Sequence, residues 1–270
     1  MSITLIHKNN NDTEVFFNEL VLLYKTITEQ CTSWIINDEH EKLFYTMRLF
    51  LSSIDNYAII DAIKQTHFFK IIKQEIMTLN QQYFAYIQVN KWYIMIQNTA
   101  PITLWSEIID LQQSKQNELS WLDLSNTTWV CIQWWVLLET ANILHNLYEN
   151  ISITCIEKNY ETMLLAQLLL SKSDKSNNTS IIYTTTDMYD FSEIDRVYIP
   201  NLTENKTEII QQIQKTAKSS VKIFVQFAKW LSVLLYENYD FNKLSRCNID
   251  AIKNCERKAS KRELHTLTIH

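Results

Sequence analysis

The stretch from Thr128 to Glu157 constrains the fold more than any other part of the chain. It reads Thr128-Trp-Val-Cys-Ile-Gln-Trp-Trp-Val-Leu-Leu-Glu-Thr140, continues through an amphipathic run, and ends in Ser152-Ile-Thr-Cys-Ile-Glu157. A short apolar run, a turn, a helical run and a second apolar run ending in an acid predict a β-α-β unit. In nucleotide-binding α/β folds the turn after the first strand holds glycines, where the backbone bends tightly and lies against the ligand. The acid ending the second strand takes a ribose hydroxyl. The acid is here, as Glu157. The glycine positions hold Gln133, Trp134 and Trp135.

The pattern downstream extends the unit. Strands are expected at 128–132, 152–156, 180–184, 196–199 and 221–227, with a last one at 264–269. Helical segments alternate with them at 137–149, 160–171 and 203–216, as in an open parallel sheet covered by helices on both faces. Upstream the periodicity is helical. Phe16, Leu20, Leu23, Ile27, Cys31 and Trp34 share one face, and Asp38-Glu-His-Glu41 reads as an N-cap with an acid three residues on. That second helix would bury Leu43, Met47, Phe50 and Ile54. One long helix is expected from Tyr57 to Val89, with His67 and Ile71 in its inward stripe, so that His67 is a core or boundary histidine rather than a ligand. Pro101 would open another helix. The polar run Gln112 to Glu118 marks the boundary between a helical domain, 1–118, and a Rossmann-like domain, 119–270. The expected class is α/β, an N-terminal helical bundle followed by an open, Rossmann-like sheet.

Glycine is absent from all 270 residues, where average usage of about 7% would give roughly 19. Each turn that needs φ > 0 must therefore use Asn, Asp or a strained residue. Asn9 to Asn11, Asn177, Asn178, Asn205 and Asn238 are the candidates. A net charge of −5 argues against a general nucleic-acid or anionic-membrane surface. The basic tail around Lys258 lacks interleaved aromatics and reads as a solvated helix end. Five cysteines without a C-x-x-C pair fit a reducing compartment. No signal peptide, membrane span or metal-ligand spacing is seen, so the expectation is a cytoplasmic protein without a metal.

The segment Val130 to Thr140 resembles the strand and loop of nicotianamine-synthase-like enzymes, including the bacterial opine-metallophore synthases. There the loop carries two glycines and holds S-adenosylmethionine. The likeness continues through Ile153-Thr-Cys-Ile-Glu-Lys-Asn159, Asp195-Arg-Val-Tyr-Ile199 and Val221 to Tyr236, about half the chain in detail. The resemblance implies transfer of the 3-amino-3-carboxypropyl arm of S-adenosylmethionine onto an amine, leaving methylthioadenosine. It also implies that Glu157 binds the ribose and that Thr140 closes the loop.

The departures fall on the implied contact positions. The loop glycines are Gln133 and Trp135. The acid expected beside the adenine aligns with Thr185, with Asp187 two positions on. The arginine of the fifth strand is Gln226, and the glycine four residues later is Trp230. The acid of an N-terminal Trp-Glu motif is Tyr93, in Trp92-Tyr93. A non-glycine residue forced to φ > 0 costs about 1–2 kcal/mol, and each 1.4 kcal/mol is about tenfold in affinity. The sequence thus favours a scaffold, a pseudoenzyme, with weak or absent cofactor binding and lost or reduced transfer. Two alternatives stand beside it: an active aminocarboxypropyl transferase making a metallophore from a small-molecule amine, and an interaction module carried by the helical domain. Trp121, Trp129, Trp134, Trp135 and Trp230 read as filling for a vacated cleft rather than a new aromatic pocket.

Overall fold

The computed structural model describes residues 12–30, 38–54, 57–97, 116–120, 122, 127, 129–133, 137–148, 150–171, 178–255 and 262–269. The chain divides into two compact units. One holds Met1–Gln88, Ala228–Tyr236 and Glu256–Arg262; the other holds Val89–Phe227, Glu237–Cys255 and Glu263–His270.

The first unit is built on α1 (Asp12–Gln30), α2 (Asp38–Ser53), α3 (Tyr57–Gln65) and, up to Gln88, α4 (His67–Gln97). The inward face of α1 is Phe16, Leu20, Leu23 and Ile27, as its spacing requires. Cys31 and Trp34 lie outside the described residues. In α2 the buried set is Phe44, Met47, Phe50 and Leu51, turned slightly from the expected stripe, which leaves Leu43 and Ile54 half-buried. Phe16 stacks on Phe50 at 5.1 Å and Phe44 on Tyr83 at 3.9 Å. Such ring pairs add about 0.5–1.5 kcal/mol each beyond their burial.

The single helix expected over 57–89 is two. Thr66 separates them: its hydroxyl donates to the Ile63 carbonyl (2.7 Å) and accepts from the Phe69 amide (3.1 Å). It closes α3 and caps α4 with one side chain. The break resets the helical phase. Ile60, Ile63, Phe69, Ile72, Ile76, Leu79 and Tyr83 are buried, while His67 and Ile71 are exposed. His67 is therefore a solvated residue in the first turn of α4, not a core or boundary histidine. The segment Ala228–Tyr236 joins this unit through Leu231, Leu234 and Leu235, and Asn80 Nδ2 donates to the Leu235 carbonyl at 3.0 Å.

The second unit is a seven-stranded sheet. Its strands are β1 (Trp129–Gln133), β2 (Ser152–Glu157), β3 (Thr179–Tyr183), β4 (Arg196–Ile199), β5 (Lys222–Ala228), β6 (Cys247–Asn254) and β7 (Arg262–Ile269). They lie in the order β3-β2-β1-β4-β5-β7-β6. The pairs among β1 to β5 are parallel, and β6 runs antiparallel to β7. Alternation along the strands sends Ile153, Cys155, Tyr198 and Phe224 to one face and Ile156, Val197, Ile199, Ile223 and Val225 to the other. The helices α5 (Leu137–Leu147) and α6 (Tyr160–Ser171) cover the first face with Leu144, Met163 and Ala166. Helix α7 (Lys206–Thr216) covers the second with Ile209, Ile210 and Ile213. Each fully buried Ile or Leu contributes about 1.5–3 kcal/mol. Strand β6 is not expected from the sequence: the short alternation Cys247, Ile249, Ala251 breaks at Ile252, and the strand is mostly exposed.

Among the described residues, positive φ occurs at Asn150 (61°) and Asn205 (54°). Asn205 is one of the expected positions and Asn150 is an added one, in the turn into β2. Asparagine tolerates the left-handed region better than other non-glycine residues. Among the described residues no helix is long and apolar enough to cross a membrane, and no group of three His, Cys, Asp or Glu could hold a metal ion.

Candidate functional site

Strands β2 and β3 lie on one side of β1, and β4 and β5 on the other. At that reversal of strand order the connections leave in opposite directions and open a crevice at the carboxyl ends, where ligands of open α/β sheets bind. Glu157 is the last residue of β2 and is 1% exposed. Its Oε1 accepts from the Asn159 amide at 2.6 Å, and its Oε2 is buried without a partner. Burial pushes its carboxyl up to about 7, against the opposing pull of the Asn159 amide, the Lys158 charge and the Lys158 amide. A hydroxyl donating to Oε2 would favour the ionised form. Thr140, in the first turn of α5, is 1% exposed and its Oγ1 also lacks a partner.

Beside Glu157 lies a cleft of about 160 Å³, bounded by Ile156, Lys158, Thr184 to Asp187, Thr203, Glu204, Asn205 and Ile209. Thr185 and Asp187 are both exposed there, so the position expected beside an adenine and its neighbouring acid share one wall. Lys158 Nζ meets Glu204 Oε2 at 3.0 Å on its rim.

Gln226, on β5, is 3% exposed. Its Oε1 accepts from the Asn201 amide at 2.8 Å, and its Nε2 donates to Glu118 Oε1, which also accepts from Tyr198 Oη at 2.9 Å. Glu118 is 2% exposed. Tyr93 lies on α4 and Gln133 ends β1, but their side chains, like that of Trp230, are outside the described residues, as are Trp134 and Trp135 altogether.

Sequence reasoning missed Glu118, Asn201, Thr203 and Lys206. Asn201 and Thr203 follow β4, each 4% exposed; both polar side-chain atoms of Asn201 and the Thr203 Oγ1 are buried without partners. Lys206, at the start of α7, is fully buried. Its Nζ donates to the Asn201 carbonyl at 2.9 Å and to the Glu237 carbonyl. Burial lowers its ammonium to about 7, against the charge of Glu237. No local pattern marks these residues in sequence, because their significance lies in partners far away along the chain.

No family model matches the chain, and no curated protein matches it in sequence. Solved structures do match. A single-substitution variant of MtNAS, a nicotianamine synthase, superposes with TM-score 0.79 at 11% identity, covering 95% of this chain and 99% of that one. MtNAS in complex with MTA and tNA gives 0.79 at 10% identity, with the same coverage. Magnesium protoporphyrin IX methyltransferase (ChlM) from Synechocystis PCC 6803, with bound SAM, gives 0.52 at 12% identity over 72% of this chain and 97% of that one. Identities this low speak to the fold alone. The chain has the nicotianamine-synthase-like fold, a helical N-terminal region and a Rossmann-like sheet of methyltransferase type.

Proposed function

We propose that this chain is a nicotianamine-synthase-like scaffold in which aminocarboxypropyl transfer is lost or severely reduced, with S-adenosylmethionine held weakly or not at all. The observation that carries this reading is Gln226. Where the resemblance implies an arginine, a neutral amide stands, spent on the Asn201 backbone and on Glu118. A side chain closed into an internal network and 3% exposed offers no charge to a ligand. When bound, the cofactor supplies a carbon next to its sulfonium for an unprotonated amine.

A second reading, an active transferase with an altered pocket, is favoured by Glu157. Its buried, unpartnered Oε2 fits a ribose hydroxyl, and Thr140 offers a second free oxygen nearby in sequence to the β1 turn. The two readings part on one assay. Methylthioadenosine release from S-adenosylmethionine with a panel of amines should stay at the uncatalysed rate, and calorimetry should find weak or no binding. Tight binding with amine-dependent release would replace the first reading by the second.

A further inference from the structure

We propose that this protein pairs with a second copy of itself through strand β3 and helix α6, joining two sheets into one. Among the described residues the sheet ends at β3 on one side and at β6 on the other, each with a single neighbouring strand. Natural sheets blunt such ends with charges, proline or bulges, because a row of unpaired backbone groups invites another strand. Strand β6 is treated in that way. It carries Asp250 and Lys253, and its pairing with β7 shifts register between Ile249 and Ala251. Strand β3, Thr179-Ser-Ile-Ile-Tyr183, has no charge and no proline, and its pairing with β2 is unbroken from Thr179 to Tyr183. One end is guarded and the other is open.

The open end presents its backbone in a fixed order. The Thr184 amide donates to the Glu157 carbonyl at the end of β2. Successive strand residues turn their backbone groups to alternate sides, so Ser180 and Ile182 face β2 as well, while Thr179, Ile181 and Tyr183 face outwards. Gln167 Nε2 of α6 reaches the Ile181 carbonyl at 3.5 Å, in keeping with that assignment, and so long a contact yields easily to a strand. A two-fold axis through Ile181, perpendicular to the sheet, sets Ile181 opposite its own counterpart. The same axis sets Thr179 opposite the partner's Tyr183, and Tyr183 opposite the partner's Thr179. Each such antiparallel pair exchanges both its N–H···O bonds, about six for the joint.

The side chains suit the same axis. Tyr160, Leu164 and Leu168 recur every four residues along one stripe of α6, and with Ile182 and Tyr183 of β3 they are 38% to 55% exposed. The Tyr160 and Tyr183 rings meet at 5.4 Å, and Gln167 reaches the outer edge of β3. The stripe therefore faces past that edge rather than straight up from the sheet. An axis perpendicular to the sheet keeps both copies of α6 on one face, stripe towards stripe. The five side chains expose roughly 450 Å² on each copy, so two copies with their strand backbones reach the ~1,000 Å² that a stable interface needs. A lone foreign strand would match the backbone of β3 but leave the α6 stripe uncovered. A second copy covers both, and the assembly closes at two chains because each has one open end. Pairing here needs nothing bound in the crevice.

Sedimentation of the full chain up to about 100 µM should show a species of twice 32.1 kDa that dissociates on dilution. The double variant Leu164→Glu, Leu168→Glu should raise the dimer Kd at least about a hundredfold, because each charge stands on both sides of the axis. Tyr183→Lys leaves α6 untouched and should act in the same direction, which decides the matter should the helix variant fail to fold. Ile252→Lys, on the guarded strand β6, should leave the dimer intact. Hydrogen exchange of the concentrated parent should protect the Thr179, Ile181 and Tyr183 amides, and Tyr183→Lys should release the first two. The Ser180 and Ile182 amides should stay protected in both, held by β2. A parent that is monomeric at the highest concentration overturns the proposal, even if an added strand peptide protects β3. So does a dimer that survives the α6 and β3 substitutions, that Ile252→Lys dissolves, or whose outward β3 amides exchange freely.

Discussion

Two polar regions of the sheet unit are buried to a similar degree and organised in opposite ways. Towards the β7 side, Tyr239 Oη meets His265 Nδ1 at 2.7 Å, and His265 Nε2 meets Glu263 Oε2 at 3.0 Å. With Tyr239 donating to Nδ1 and Nε2 donating to Glu263, the chain of hydrogen bonds is complete, and Phe227 stacks on the imidazole at 4.6 Å. Gln214 Nε2 likewise donates to Cys247 Sγ at 3.0 Å. At the carboxyl edge of β1, β2 and β4, Thr140, Glu157, Asn201 and Thr203 hold bare polar atoms. The first arrangement holds architecture together. The second stores unmet hydrogen-bonding capacity where an open parallel sheet receives ligands. If that contrast is sound, substitutions in the closed network should cost stability, and substitutions at the edge should cost binding.

The largest effect is expected at His265. His265→Leu removes the stacked ring and leaves Tyr239 and Glu263 without a shared partner, a loss of about 3 kcal/mol. Urea unfolding measures it, and a change under about 1 kcal/mol would mean the network is ornamental. Lys206→Met comes next. It abandons the Asn201 and Glu237 carbonyls, at about 2 kcal/mol. The cost should depend on pH. With its folded value lowered to about 7 from 10.5, the Lys206 ammonium penalises the parent below 7. The parent therefore gains stability from this residue as pH rises from about 7 to 10.5, and the variant should lack that rise.

Glu157→Gln should separate stability from binding. Because burial raises the folded value to about 7 from 4.5, the folded parent holds its proton more tightly than the unfolded chain. The stabilisation is complete below 4.5 and is lost as pH rises through about 7. The glutamine variant should show a flat profile over that window and equal or greater stability at pH 7.5. Any affinity for methylthioadenosine should drop about tenfold or more if, as the second reading proposes, Glu157 accepts the ribose hydroxyls. A variant that unfolds easily yet keeps its pH dependence would show that another group carries the titration.

The frame of this site was legible because frames are periodic. Apolar runs placed five strands to within a residue or so, and the acid ending Ser152 to Glu157 stands at the end of β2 as the pattern requires. Strand β6 escaped because its alternation covers only Cys247 to Ala251 before Ile252 breaks it, on a mostly exposed strand. The break at Thr66 escaped because the stripe from Ile60 to Tyr83 looks continuous in sequence, while one threonine resets its phase. Glu118 read as part of a polar boundary, yet it is buried against Tyr198 and Gln226, 80 and 108 residues away. Asn201 was invisible for the opposite reason: its side chain is defined by the partners it lacks, and no spacing rule encodes an absence.

The smallest effect is expected on the rim of the cleft. Lys158 and Glu204 form an ion pair there, with side chains 60% and 43% exposed. Two long side chains in water gain little Coulomb energy and lose rotamer freedom on pairing, so Lys158→Ala should cost under about 0.5 kcal/mol. The same substitution widens the entrance between the end of β2 and the start of α7, and it removes one of the groups that lowers the Glu157 carboxyl. With the folded value raised further, the stability loss at Glu157 still begins near 4.5 but continues past about 7, an extension readable in the melting temperature across pH 5 to 9 even though the loss at any one pH is slight. A loss above about 1.5 kcal/mol would place Lys158 with the closed network instead of the open edge, and the division between the two regions would have to be drawn elsewhere.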